Sequence, residues 1–379
     1  MSEYQRYEFM TIDRPLTRAQ LDEVNDLSSH IEASPTHAFI EYHWSGFKHD
    51  PIKVLHKYFD GFLYWANWGA PELALRFPHG ILPGDLLDDY DFDDFVTFTQ
   101  YKDYDILDIH FGEMEGPDQW IDDELASLIP IRDELMEGDL RALYITWLAS
   151  QCMMYGYKED QEEEDYEIIV PSVPPDFGKL TEAQQALAQL LQVPHDLLLA
   201  ASRHSTGTMP SIQKDDFDAW VKLLPADRKN EYLLRLAQNE PGLSRLFVRE
   251  LRELNRNKDR VRLSTGERVT YATLNAESKT IQAQREREKR ERERAERLRR
   301  LQYIHDHQEQ YWQQIDQATE HTVGARYDDA VRDLVDLREA ANQFNETREF
   351  QERFRTWVQS YRRRPGLIER LRRHQFVLP

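Results

Sequence analysis

The sequence predicts an α+β N-terminal domain followed by a mostly α-helical region with a long charged helix and a C-terminal helical bundle. Three observations predict it. Aromatic, strand-like runs alternate with capped helical segments as far as about residue 158. An acidic, then proline-rich stretch over 159–178 breaks that pattern. Beyond it, apolar residues recur at helical spacing until the end. The expected organisation is therefore an acidic α+β domain (1–158), an exposed linker (159–178) and a helical domain (179–260). A hairpin or loop with the charged helix (261–300) and the bundle (301–379) complete it.

The first domain reads element by element. Tyr4 to Ile12 is an aromatic-rich strand. Thr17 and Gln20 form a capping box for a helix through about Leu27, the hydroxyl and amide satisfying otherwise orphaned backbone groups. Ala38 to Trp44 is a second strand. Asp50 followed by Pro51 caps a helix carrying Ile52, Leu55, Phe59 and Phe62. The runs Phe62–Trp68 and Leu73–Phe77 pair as strands, as do Phe95–Tyr101 and Tyr104–Phe111. Helices over 122–137 and 139–154 meet at Gly138.

Thr181 and Gln184 make a second capping box, opening a region whose leucines (Leu187, Leu190, Leu191, Leu197, Leu198) need a partner surface. Phe217, Trp220, Leu223, Leu233, Leu234 and Leu246 continue it. From Glu277 a long helix is expected. Its segment 285–300 has almost no apolar residue, but charges pair at i,i+4: Glu286–Arg290, Glu288–Arg292, Glu293–Arg297 and Glu296–Arg300. At about 0.2–0.5 kcal/mol each, such pairs together keep a helix formed without a core. Leu298, Leu301, Ile304, Trp312 and Ile315 begin an apolar stripe. Two further helices carry Leu334, Leu337 and Phe344, then Phe350, Phe354, Trp357 and Tyr361, the last stopping before Pro365.

Charge is divided unevenly. Residues 1–170 hold 37 acidic against 11 basic side chains, whereas 251–379 hold 22 against 28. A fold does not require that split, so it bears on partners and solubility. The start has no basic segment leading into an apolar one, and no 18 apolar residues run together, which predicts a cytoplasmic protein without a membrane span. The single Cys152 excludes a disulfide framework and any cysteine-based zinc site.

Three stretches are familiar together: Tyr7-Glu8-Phe9 with Ile12-Asp13-Arg14-Pro15-Leu16-Thr17; Glu41-Tyr42-His43-Trp44 with Gly46-Phe47-Lys48 and Asp50-Pro51; and Lys57-Tyr58-Phe59-Asp60 with Ala66-Asn67-Trp68-Gly69. Tyr327-Asp328, Asp336-Leu337-Arg338 and Arg363-Arg364-Pro365 fit the same pattern. With them the chain resembles a family of uncharacterised bacterial cytosolic proteins to which no activity is assigned. The resemblance implies a bacterial, cytosolic setting and transfers no functional residue.

Motifs for chemistry are few. Asp89, Asp91 and Asp93 have the 1-3-5 spacing of a calcium loop, but Asp94 replaces the turn glycine and Gln100 the bidentate glutamate. A solvated acidic loop fits better, and no metal or cofactor is expected. His305 and His307 lie two apart, on different sides of a helix. Phosphate loops and nucleophile elbows are absent from the sequence. Cys152 reads as a buried thiol. The sharpest basic cluster is Arg362, Arg363, Arg364, Arg370, Arg372 and Arg373, a candidate nucleic-acid or anion surface. Favourable placement of arginines at helix C-termini explains much of it. The expected function is a non-enzymatic protein-interaction or scaffold protein, monomeric, with a protein partner. An accessory nucleic-acid-binding role for the basic end is the first alternative. An enzyme with His43, Lys48 and Asn67 in a cleft formed by 41–69 is the second.

Overall fold

The structure, a computed structural model, describes residues 3–82, 90, 95–112, 124–156, 170–207, 217–238, 243–254, 267–320 and 324–378. The chain divides into two compact units, Met1–Ile281 and Gln282–Pro379.

The first unit is built on a seven-stranded antiparallel sheet in the order β2-β3-β1-β4-β5-β7-β6. Its strands are β1 (Gln5–Met10), β2 (Ile31–Ala33), β3 (His37–Tyr42), β4 (Gly61–Ala66), β5 (Glu72–Pro78), β6 (Val96–Gln100) and β7 (Tyr104–His110). The four predicted strand runs after residue 60 form these pairs, whereas β2 is too short to show in the sequence. On one face, Phe9, Ile40, Phe62 and Ile106 pack with α1 (Arg18–Asn25) and α2 (Pro51–Tyr58). On the other, Leu63, Leu73, Leu75, Phe77, Leu107 and Ile109 join a larger core. Both helix starts follow the sequence: Thr17 and Gln20 cap reciprocally, and Asp50 accepts from the Ile52 and Lys53 amides.

The predicted helix over 122–137 is broken by Pro130 into α3 (Leu125–Leu128) and α4 (Pro130–Met136). Next come α5 (Arg141–Gly156), α6 (Glu182–Leu190), opened by its own capping box, and α7 (His195–Arg203). The leucines of α6 and α7 find their partner surface in the sheet's own core, with Leu143, Trp147 and Phe177. Two expectations change here. The segment read as a separate helical domain gives α6 and α7 to the first core. The proline-rich half of the expected exposed linker is also buried, with Val173 and Phe177 inside. Arg141 explains the second point by donating to the carbonyls of Asp176 and Lys179. The acidic half, 159–169, and the Asp-rich segment apart from Tyr90 lie outside the described residues. Three shorter helices, α8 (Phe217–Leu223), α9 (Ala226–Ala237) and α10 (Leu243–Leu254), pack on one another.

Helix α11 (Tyr271–Asp306) starts six residues before the expected Glu277, because Val269, Tyr271 and Leu274 anchor its first turn in the first core. Residues 282–300 are exposed throughout. Glu286 and Arg290 pair as predicted, at 3.0 Å. Arg297 and Arg300 reach instead to Glu339 and Asp336 of α13 (Gly324–Gln343). The second unit's core joins Ile304, Trp312, Ile315, Leu334, Phe354, Trp357 and Leu371. These come from α11, α12 (Gln308–Glu320), α13, α14 (Thr347–Tyr361) and α15 (Pro365–Arg373). The helix carrying Phe350 to Tyr361 stops before Pro365, as expected, and Pro365 takes the first position of α15, where a missing amide costs no hydrogen bond. Among the described residues no helix is long and apolar enough to cross a membrane.

Candidate functional site

Strand register places one polar cluster beside an aromatic patch on the sheet. Side chains directly opposite one another run in rows across the strands. One row is Ile31, Ile40, Tyr7, Tyr64, Glu72 and His110; the next is Ala33, Ala38, Phe9, Phe62, Ala74, Asp108 and Thr97. Both rows are apolar or aromatic over β2, β3, β1 and β4; the first turns polar at β5 and β7, the second, still apolar at Ala74 of β5, turns polar at β7. Glu72 and Asp108 thus become diagonal neighbours, within reach of each other's charge. Asp50, at the start of α2, adds a third carboxylate.

Burial, with the charges of Asp108 and Asp50, pushes the Glu72 carboxyl up to about 8. Burial also raises Asp108, to about 6, against the pull of His110 and with a further push from Asp50. The His110 Nδ1 lies 3.6 Å from Asp108 Oδ2, close enough for charge attraction but long for a hydrogen bond. Tyr7 and Tyr64 lie beside Glu72 with ring centroids 4.7 Å apart and planes tilted by 46°, and burial raises both phenols. Glu72, raised further, therefore keeps its proton to higher pH than Asp108 does. That division suits proton donation and acceptance. Among the described residues no group of three or more His, Cys, Asp or Glu side chains is arranged to hold a metal.

The expected cleft between 41 and 69 has different occupants. His43 is exposed, its ring 5.4 Å from that of Tyr4, and Lys48 is exposed as well. The Asn67 Oδ1 accepts from the Tyr4 amide at 3.1 Å, a strand-end contact. Glu72, Asp108 and His110 were not singled out in the sequence. Their signal is the alternation in Glu72-Leu-Ala-Leu-Arg76 and Asp108-Ile-His110, which sets one ionisable face against one aliphatic face.

The remaining candidates also fall into place. Cys152 is partly buried, burial raises its thiol, and the Tyr271 hydroxyl donates to its sulfur. His305 and His307 serve separate contacts, His305 with Glu346 and Asp306, His307 with the Tyr303 carbonyl. The six arginines divide in two. Arg364 donates to the Thr319 carbonyl, Arg370 pairs with Asp328, and Arg373 pairs with Glu369. Arg362, Arg363 and Arg372 are exposed and form no ion pair among the described residues. If the basic end binds duplex DNA at low salt, Arg363→Ala with Arg372→Ala should weaken binding by the full chain more than Arg373→Ala does. The measurement is a filter-binding titration across a salt series. Equal losses would show that these arginines are not a common surface.

The helices α8 to α10 carry the largest apolar exposure. Leu223, Leu233, Leu234, Leu236 and Leu254 are between 60 % and 73 % exposed. Helix α9 turns its polar and aromatic side inward: Tyr232 lies 4.6 Å from the Phe247 ring, while its hydroxyl and the Arg228 guanidinium bond to Glu250. The leucine side faces out.

Comparison of the chain with protein families, curated proteins and solved structures finds no match.

Proposed function

We propose that this is a non-enzymatic protein-interaction protein of the bacterial cytosol, monomeric alone, whose partner docks on the leucine side of α9. The observation that carries this reading is the inverted amphipathicity of α9. Burying a leucine is worth about 1.5–3 kcal/mol, so a helix that bonds its charged side inward and leaves three leucines outside is incomplete without a cover. Leu233 and Leu236 lie one helical turn apart, the spacing that an amphipathic helix of another protein reads. Leu223 and Leu254 extend the apolar area beyond α9.

Leu233→Asp with Leu236→Asp should leave the thermal transition within about 1 kcal/mol of the native chain, because these positions are already solvated. The same pair should abolish stoichiometric retention of the partner during purification from the native cell. A variant that keeps the partner overturns the reading. So does a stable dimer of the purified chain at high salt, measured by sedimentation.

A second reading rests on Glu72 and Asp108. Their unequally raised carboxyls have the character of an acid–base pair, which would make the sheet face an active site. It requires a turnover lost in both Glu72→Gln and Asp108→Asn, with a pH profile bounded near the two values above.

A further inference from the structure

The second unit contains a cleft of about 300 Å³ between the end of α11, the start of α12, the end of α13 and the start of α14. Trp312 and Phe350 form its aromatic wall, with ring centroids 5.9 Å apart, and Ala340 and Ala341 leave room beside them. Its size suits one side chain rather than a cofactor, because small-molecule sites begin at about this volume.

The charges in the cleft nearly cancel. Arg353 makes a two-pronged bond to Glu309. His305 bonds to Glu346 at 3.1 Å, and the carboxylates of Glu346 and Asp306 hold its imidazole charged to higher pH than usual. Glu349 is left over: exposed at the rim, it has no ion-pair partner among the described residues. The aromatic wall already accepts a cation, since the Arg353 guanidinium lies over the Trp312 ring, 4.8 Å from its centroid.

We propose that this cleft is a binding site for the guanidinium of an arginine side chain presented by a partner, stacked on Trp312 and Phe350 and paired with Glu349. The incoming arginine takes the Trp312 face from Arg353, which stays bound to Glu309. This site is independent of the leucine surface of α9, so either can fail alone.

The test uses the full chain labelled with 5-fluorotryptophan and titrated with N-acetylarginine amide. The neutral isostere N-acetylcitrulline amide is the control. The Trp312 fluorine resonance is identified by its displacement in Arg353→Met, which removes the cation above the ring. The arginine compound should shift this resonance saturably with a dissociation constant in the millimolar range, and the citrulline compound should not. Glu349→Gln should weaken binding by about three- to tenfold, and Arg353→Met should tighten it by removing the competing cation from the ring. An equal response to both compounds, no response to either, or unchanged affinity in Glu349→Gln overturns the proposal.

Discussion

Asp60→Ala is expected to cost the first unit about 3–5 kcal/mol, enough to consume much of a domain's stability. Asp60 is almost wholly buried and lies just before β4. Its Oδ2 accepts from the amides of Ile12 and Asp13 at 2.6 and 2.8 Å, and its Oδ1 from Arg76 at 2.8 Å. The Arg76 carbonyl accepts from Arg132 Nε, and the other Arg132 nitrogens close the circuit on the Asp13 carboxylate. The four residues form a closed ring joining the β1–α1 turn, β4, β5 and α4. Alanine leaves the Arg76 charge without its carboxylate, together with two unsatisfied amides, and each buried orphan adds to the loss. Asp60→Asn keeps an acceptor and should lose less. Calorimetric unfolding of both variants checks the order. An Asp60→Ala transition within about 0.5 kcal/mol of the native one would show that the ring is dispensable.

The second large effect is pH-dependent. Glu72 in the folded chain holds a proton that the unfolded chain releases, because its carboxyl is raised from 4.5 to about 8. The folded state therefore binds more protons across that window. Stability is fully present below about pH 4.5, declines as pH rises, and reaches its lower plateau above about pH 8. At about 1.4 kcal/mol per unit the fall is on the order of 3–5 kcal/mol. Asp108 adds a smaller decline of the same sign, ending near pH 6. In Glu72→Gln most of the slope should vanish: the variant should match the native melting temperature near pH 5 and exceed it near pH 8.5. Parallel curves for the two proteins would mean that Glu72 carries no such linkage.

Much of the architecture was legible because local chemistry and tertiary contacts agreed. Both capping boxes, the Asp50–Pro51 helix start and the paired strands after residue 60 needed no distant information. Failures came where a distant partner overrode the local signal. Val173 and Phe177 read as linker because their neighbours are prolines, yet Arg141 satisfies the nearby carbonyls and allows burial. Arg297 and Arg300 left their predicted helical neighbours for acids on α13. The polar sheet face was hidden for a related reason. Glu72 and Asp108 are 36 positions apart in the sequence, and only the β5–β7 register makes them neighbours. In the arginine cluster, Arg364, Arg370 and Arg373 are committed to partners 45, 42 and 4 positions away, and local spacing does not reveal the two distant ones.

Strand β5 also constrains how the sheet assembles. Its two faces differ completely: Leu73, Leu75 and Phe77 enter the large core, while Glu72, Ala74 and Arg76 face the opposite way. A slip of one residue against β4 or β7 would exchange the two sets, driving a carboxyl and a guanidinium into hydrocarbon and removing three large apolar side chains from the large core. Misaligned pairings are therefore disfavoured. β5 acts as an alignment key, and the carboxyl that weakens the finished protein at alkaline pH helps to discard its wrongly threaded forms.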